Sequence, residues 1–149
     1  MLKEYFEDIN LHQRRRSREY HLTEKEIITF ANQWDPQPYH VDPGFAKNTK
    51  FTGLVASGIH LVAILGKLLN ERNPRPAFVA GLGLDKLRFV SPARPDDVLV
   101  LETEAIAKRE SKSDPNVGIV SYACRLLNQR DEPLVTGEPT GLVEKRLKG

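Results

Sequence analysis

The order of elements along this chain predicts an α+β protein in which one buried helix is wrapped by a curved antiparallel sheet. Three observations carry that expectation. Helix signals crowd the first half, strand signals fill the second, and the segment IHLVAILGKLL, Ile59 to Leu69, is apolar on nearly every side. Helices followed by a run of strands argue against alternating βαβ units, and a helix apolar all round belongs inside a protein. At 149 residues the chain is expected to form a single domain, 1-149, long enough to bury a core.

Taken in order, Gln13 to Leu22 reads as a first strand, although its alternation is poor. A helix begins at Thr23, whose hydroxyl caps it; Glu26 closes a capping box and Leu22 staples onto Ile27. Ile27, Ile28, Phe30 and Ala31 give that helix its apolar face. It must stop before Pro36, because a residue preceding proline is pushed out of the helical region. A short helical piece over Pro43 to Lys47 follows, with Asp42 as its cap. Ser57 then serves as N-cap of the buried helix. From Phe78 onward, GLGLDKLRFV alternates Leu82, Leu84, Leu87 and Phe89 with small or polar residues, and SPARPDD supplies turn chemistry. VLVLETEAIA, VGIVSYACRLLNQ and PLVTGEPTGLVEK complete about four strands at regular spacing.

Composition removes several function classes. Apolar residues make up 40% and charged residues 28%, ordinary for a soluble globular protein. The net charge of +2 is too small to mark a nucleic-acid partner. The densest basic run, Arg14, Arg15, Arg16 and Arg18, reads as a charged strand edge that resists aggregation; its sharper alternative is an anchor for a phosphate-bearing ligand. The single Cys124 excludes an intramolecular disulfide and a cysteine metal cluster, and its apolar setting makes it a small buried hydrophobe. No apolar run is long enough for a membrane span or a signal peptide, so a cytoplasmic location and no membrane partner are expected. No phosphate-binding glycine loop opens a helix and no GxSxG elbow occurs, so no dinucleotide or other cofactor and no metal are expected.

The stretch WDPQPYHVD, Trp34 to Asp42, stands apart. Of the four histidines, His12 and His21 have no defensible acidic partner, and His60 on the apolar helix reads as a core or interface residue. His40 lies close to Asp35 and Asp42 and is flanked by Pro36, Pro38 and Pro43. Two readings stand side by side. The prolines mark an ordinary turn, or they brace Asp35 and His40 within hydrogen-bond reach of one water, as acid–base chemistry requires.

At these residues the chain resembles the MaoC-like acyl dehydratases, which include the R-specific enoyl-CoA hydratases. The family pattern is Asp, any residue, Asn or Gln, Pro, any residue, His, any residue, Asp; here it reads Asp35-Pro36-Gln37-Pro38-Tyr39-His40-Val41-Asp42. The similarity continues through Pro43-Gly44-Phe45-Ala46, the loop Phe51 to Gly58, the buried helix and GLGLDKLRFVSPARPDDVL. It implies a hotdog fold dimerised edge to edge, and a homodimer or higher homo-oligomer. It implies an acyl-CoA thioester substrate, hydrated across a trans-2-enoyl bond to a 3-hydroxyacyl product of R configuration. Asp35 and His40 would hold the water, and the Gly58 amide would meet the enolate oxygen. Gln37, bracing its loop, would contact substrate with Ser57 and Gly53. Lys86, Arg88 and Arg94 are candidates for the CoA phosphates. Two departures from the pattern are Asp97, where the turn commonly carries glycine, and Gly66, where some hydratases carry serine. The alternatives are a hotdog thioesterase and a non-catalytic acyl-CoA-binding subunit.

Overall fold

The computed structural model describes residues 2–147. Two-residue strands β1 (Lys3–Glu4), β2 (Arg15–Arg16) and β3 (Tyr20–His21) precede α1 (Glu24–Trp34) and two single-turn helices, α2 (Pro38–Val41) and α3 (Pro43–Ala46). The long helix α4 (Gly58–Glu71) leads into β4 (Arg75–Pro76), and four long strands follow: β5 (Phe78–Phe89), β6 (Val98–Glu110), β7 (Val117–Leu127) and β8 (Pro133–Glu144). The main sheet runs β2-β6-β7-β8-β5, and its long strands pair antiparallel. This is the α+β architecture that the element order predicts.

The first strand is shorter than the sequence suggests. Gln13 to Leu22 pairs with β6 only at Arg15–Arg16 and Tyr20–His21. Between them the Leu101 amide bonds the Ser17 hydroxyl at 2.8 Å, a side chain taking the place of a ladder carbonyl. The arginine run is tied to carboxylates: Arg15 to Glu4 and Arg18 to Glu71, each at 2.8 Å, and Arg16 to Asp131 at 3.1 Å. That pairing favours the charged-edge reading over the phosphate anchor.

α4 lies against the inner face of the sheet, where Leu61, Ile64, Leu65, Leu68 and Leu69 pack with Leu99, Leu101, Val120, Leu126 and Leu134. Truncating Leu68 to alanine there costs about 2–5 kcal/mol. The helix is not enclosed on every side, as its composition suggests. Ile59 is 55% exposed and Ala63 is open, so the face carrying them has no cover within one chain. β5 behaves likewise: its alternation does not mark a core face, and Leu82 is 55% exposed at the sheet edge. A register shift between Asp85 and Arg88, with Lys86 at φ 52°, breaks the alternation between Leu84 and Leu87.

In the SPARPDD turn the glycine-like backbone falls on Asp96, at φ 70°, and not on Asp97. Asp97 is buried and accepts bonds from the Arg94 amide and the Gln129 side chain, both at 2.9 Å. Asp96 is tolerated because a short polar side chain is among the few that enter the left-handed region; it also meets His21 at 3.3 Å.

Candidate active site

The site assembles where α1 ends and α4 begins. Thr23 caps α1, its hydroxyl accepting from the Glu26 amide at 3.2 Å, and Leu22 and Ile27 are both fully buried beside that cap. Glu26 does not return to Thr23 to close the box; its carboxylate is taken by the Tyr20 hydroxyl and by His60. At the other end α1 stops at Trp34, and Asp35 is its C-cap, out of the helical region at φ −157° and ψ 71°, as a residue preceding proline must be.

Pro38 then opens α2 at a first-turn position, where its missing N–H goes unneeded. The Gln37 amide donates to the Asp35 carbonyl at 2.8 Å, and the His40 amide donates to the Gln37 carbonyl at 2.9 Å. This turn swings His40 back toward Asp35. Asp42 accepts from the Phe45 amide at 3.1 Å and caps α3, the structural part expected of it.

His40 is buried, with Nδ1 2.7 Å from the Val55 carbonyl. A carbonyl only accepts, so Nδ1 carries the hydrogen. In the neutral ring Nε2 is therefore left with its lone pair, 3.5 Å from Asp35 Oδ2. The Tyr39 ring meets the imidazole edge-on, with centroids 4.5 Å apart. Asp35 is steadied from the other side. Ser57 is 0% exposed, and its hydroxyl donates to Asp35 Oδ2 at 2.7 Å. Ser57 occupies the N-cap position of α4 but makes no side-chain cap bond; the expected capping role is given up for the bond to Asp35. The first amides of α4 consequently have neither an intrahelical acceptor nor a serine cap, and they carry the positive end of the helix dipole.

These groups border a cleft of about 610 Å³ lined by Asp35, His40 and Gly58 together with Tyr39, Phe51, Val55, Leu61 and Phe89. Of the six site residues named from sequence, three line it. Ser57 lies behind Asp35. Gln37 is exposed, and its bonds run through its main chain. Gly53, at φ 158°, lies beside the Arg94 guanidinium. Arg94 is spent on the Phe51 carbonyl, Lys86 pairs with Glu138 at 3.4 Å, and Arg88 bonds the Leu87 carbonyl at 2.9 Å. The basic residue at the cleft is Lys50, which sequence reasoning missed. Also missed were the Val55 carbonyl, a backbone group with no sequence signal, and Phe89, whose ring occupies the space a Cβ on Gly58 would take, at 2.6 Å.

Comparison with known proteins agrees with the fold. The family model described as MaoC like domain matches residues 9–124. The uncharacterized protein YdeM of Bacillus subtilis is 30% identical over 125 residues, 83% of this chain and 87% of the relative. Among solved structures, the MaoC-like dehydratase from Rhodospirillum rubrum superimposes with a TM-score of 0.90 at 34% identity, covering 97% of this chain and 99% of the other. The (R)-hydratase from A. caviae involved in PHA biosynthesis gives a TM-score of 0.74 at 28% identity, covering 93% and 98%.

Proposed function

The chain belongs to the MaoC-like dehydratase family, with the hotdog fold of its structural relatives, and from that premise we propose that it hydrates trans-2-enoyl-CoA thioesters to 3-hydroxyacyl-CoA products of R configuration. The observation that carries the reading is the placement of Ser57. By turning to Asp35 at 2.7 Å it aligns the acid–base pair and leaves the start of α4 uncapped in the same cleft.

The chemistry follows from those groups. Asp35 Oδ2 and His40 Nε2, at 3.5 Å, are two acceptors that share no proton of their own, and a water donating one hydrogen to each satisfies both. Its oxygen adds to the β-carbon of the enoyl thioester as one hydrogen passes to the pair. The double-bond electrons move into the thioester carbonyl, giving an enolate whose oxygen faces the Gly58 amide. The pair then delivers a proton to the α-carbon, so that H and OH are both added and the site is restored. An oxyanion donor of this kind is worth about 2.7–4 kcal/mol of barrier.

The uncovered edge supports a homodimer. β5 is the end strand of the sheet, and Val79, Leu82, Leu84 and Phe89 are exposed along it. Pairing with a second copy would cover apolar groups that otherwise invite aggregation. No helix among the described residues is long and apolar enough to cross a membrane.

A panel of trans-2-enoyl-CoAs of increasing chain length tests the assignment. Loss of the conjugated-thioester absorbance without release of free thiol is expected. Thiol release at the same rate would instead make the protein a thioesterase, and binding without turnover across the panel would make it an acyl-CoA-binding subunit.

A further inference from the structure

A second polar cluster joins the same two helices at a distance from the cleft chemistry. His60 stands one turn beyond Ser57 on α4 and is 4% exposed. Its Nε2 lies 2.9 Å from Glu26 of α1, and its ring stacks on Phe30, one turn along α1, with centroids 4.4 Å apart and planes 7° from parallel. The Tyr20 hydroxyl donates to the same Glu26 oxygen, and Tyr20 is itself paired with Leu99 of β6. Sheet, α1 and α4 therefore meet at one carboxylate.

Burying such a group is an expensive way to hold two helices together. Removing the imidazole from water costs free energy that an apolar side chain of similar volume would not incur, and His60 Nδ1 is left buried without a partner. Apolar burial alone, however, carries no directional preference. A hydrogen bond combined with a flat stack fixes both the rotation of α4 about its axis and its register along α1. Those two variables decide whether Ser57, at the start of α4, reaches Asp35, at the end of α1.

We propose that His60, held by Glu26 and Phe30, is a positioning residue for the Asp35/His40 site: it sets the first turn of α4 against α1 so that Ser57 meets Asp35 and Gly58 faces the cleft. The proposal rests on the hydratase reading for its kinetic consequence and on geometry alone for its structural one.

The test compares His60→Leu, which refills the space without the bond, with His60→Gln, whose side-chain amide can still donate to Glu26. Wild-type turnover of a short trans-2-enoyl-CoA is measured first. His60→Leu is expected to melt close to wild type yet lose about 10- to 100-fold in kcat, with KM moved by less than about threefold. His60→Gln is expected to recover most of that loss. A crystal structure of His60→Leu should show Ser57 Oγ and Asp35 Oδ2 drawn beyond the hydrogen-bond limit of about 3.5 Å. Equal kcat for the leucine variant and the wild type, equal loss in the leucine and glutamine variants, or an unchanged Ser57–Asp35 bond overturns the proposal. Should His60→Leu fail to fold, Glu26→Leu removes the same bond from a partly exposed position and is read by the same three outcomes. A wild-type protein that hydrates no enoyl-CoA sinks the hydratase reading, and the crystallographic separation then decides the positioning role by itself.

Discussion

Two histidine–carboxylate pairs draw their carboxylates from α1, Glu26 within the helix and Asp35 as its C-cap, and they are built oppositely. Glu26 and His60 are 2.9 Å apart and joined to each other directly, with the His60 ring stacked on Phe30. Asp35 and His40 are 3.5 Å apart at the wall of an open cleft, and each is held from behind by a third group, the Ser57 hydroxyl or the Val55 carbonyl. A pair joined directly has spent its facing atoms on each other, although His60 Nδ1 stays without a partner. A pair whose partners lie behind it keeps its inner lone pairs facing outward, and the difference between structural and chemical use is which atoms remain unspent.

The comparison is broken most severely at the cleft. Asp35→Asn and His40→Ala are each expected to lower hydration by about 10²–10⁴-fold while circular dichroism and the melting temperature stay near wild type. A loss of folding in place of a loss of rate would make Asp35 and His40 a second structural pair.

Ser57→Ala comes next. It removes a 2.7 Å bond to the carboxylate and is expected to reduce kcat by about 10- to 100-fold. Because Ser57 acts through Asp35, the double variant with Asp35→Asn should be no slower than Asp35→Asn alone, the non-additivity of groups that work as a unit. Additive losses would separate the two roles.

A smaller effect sharpens the other side. Burial, opposed by the Glu26 carboxylate, holds the His60 imidazole below its ordinary value of 6.5. The unfolded chain therefore binds more protons at this residue than the folded one, and stability rises with pH across the window. His60 should contribute fully above about pH 6.5 and lose its contribution as pH falls from there toward its folded value. The difference in melting temperature between wild type and His60→Gln, followed from pH 7.5 down to about 5, isolates that dependence from the other titrating groups; a flat difference would contradict the burial argument.

The smallest effect is expected at Cys124, buried among apolar neighbours, where desolvation pushes the thiol up to about 12. A thiol reagent at neutral pH should leave it unmodified until the protein is denatured, because the reactive species is the thiolate.

The sequence made the cleft pair legible because its geometry is local. Two prolines and a capped helix dictate where residues five apart must turn, and those rules act over a few bonds. It made Glu26 misleading for the same reason. The box it completes with Thr23 is a local rule, and a tertiary bond to a histidine 34 residues away overrode it. Ser57 was read as a cap by the same kind of rule and lost to a carboxylate 22 residues back. The exposure of β5 was hidden because alternation reports that one side differs from the other, not what lies opposite. His12 and His21 likewise found carboxylates, Glu104 and Asp96, only after the sheet had folded.

Every group assigned to the chemistry lies between Asp35 and Gly58, in one unbroken length of chain whose turns are fixed by its own prolines and caps. The strands supply walls but none of the reacting atoms. Such an arrangement separates two kinds of residue. Residues outside the segment that line the cleft, such as Leu61 and Phe89, shape the space beside the pair, and Phe89 also packs on Gly58. The segment carries the assigned chemistry, and the wall around it sets what fits against it.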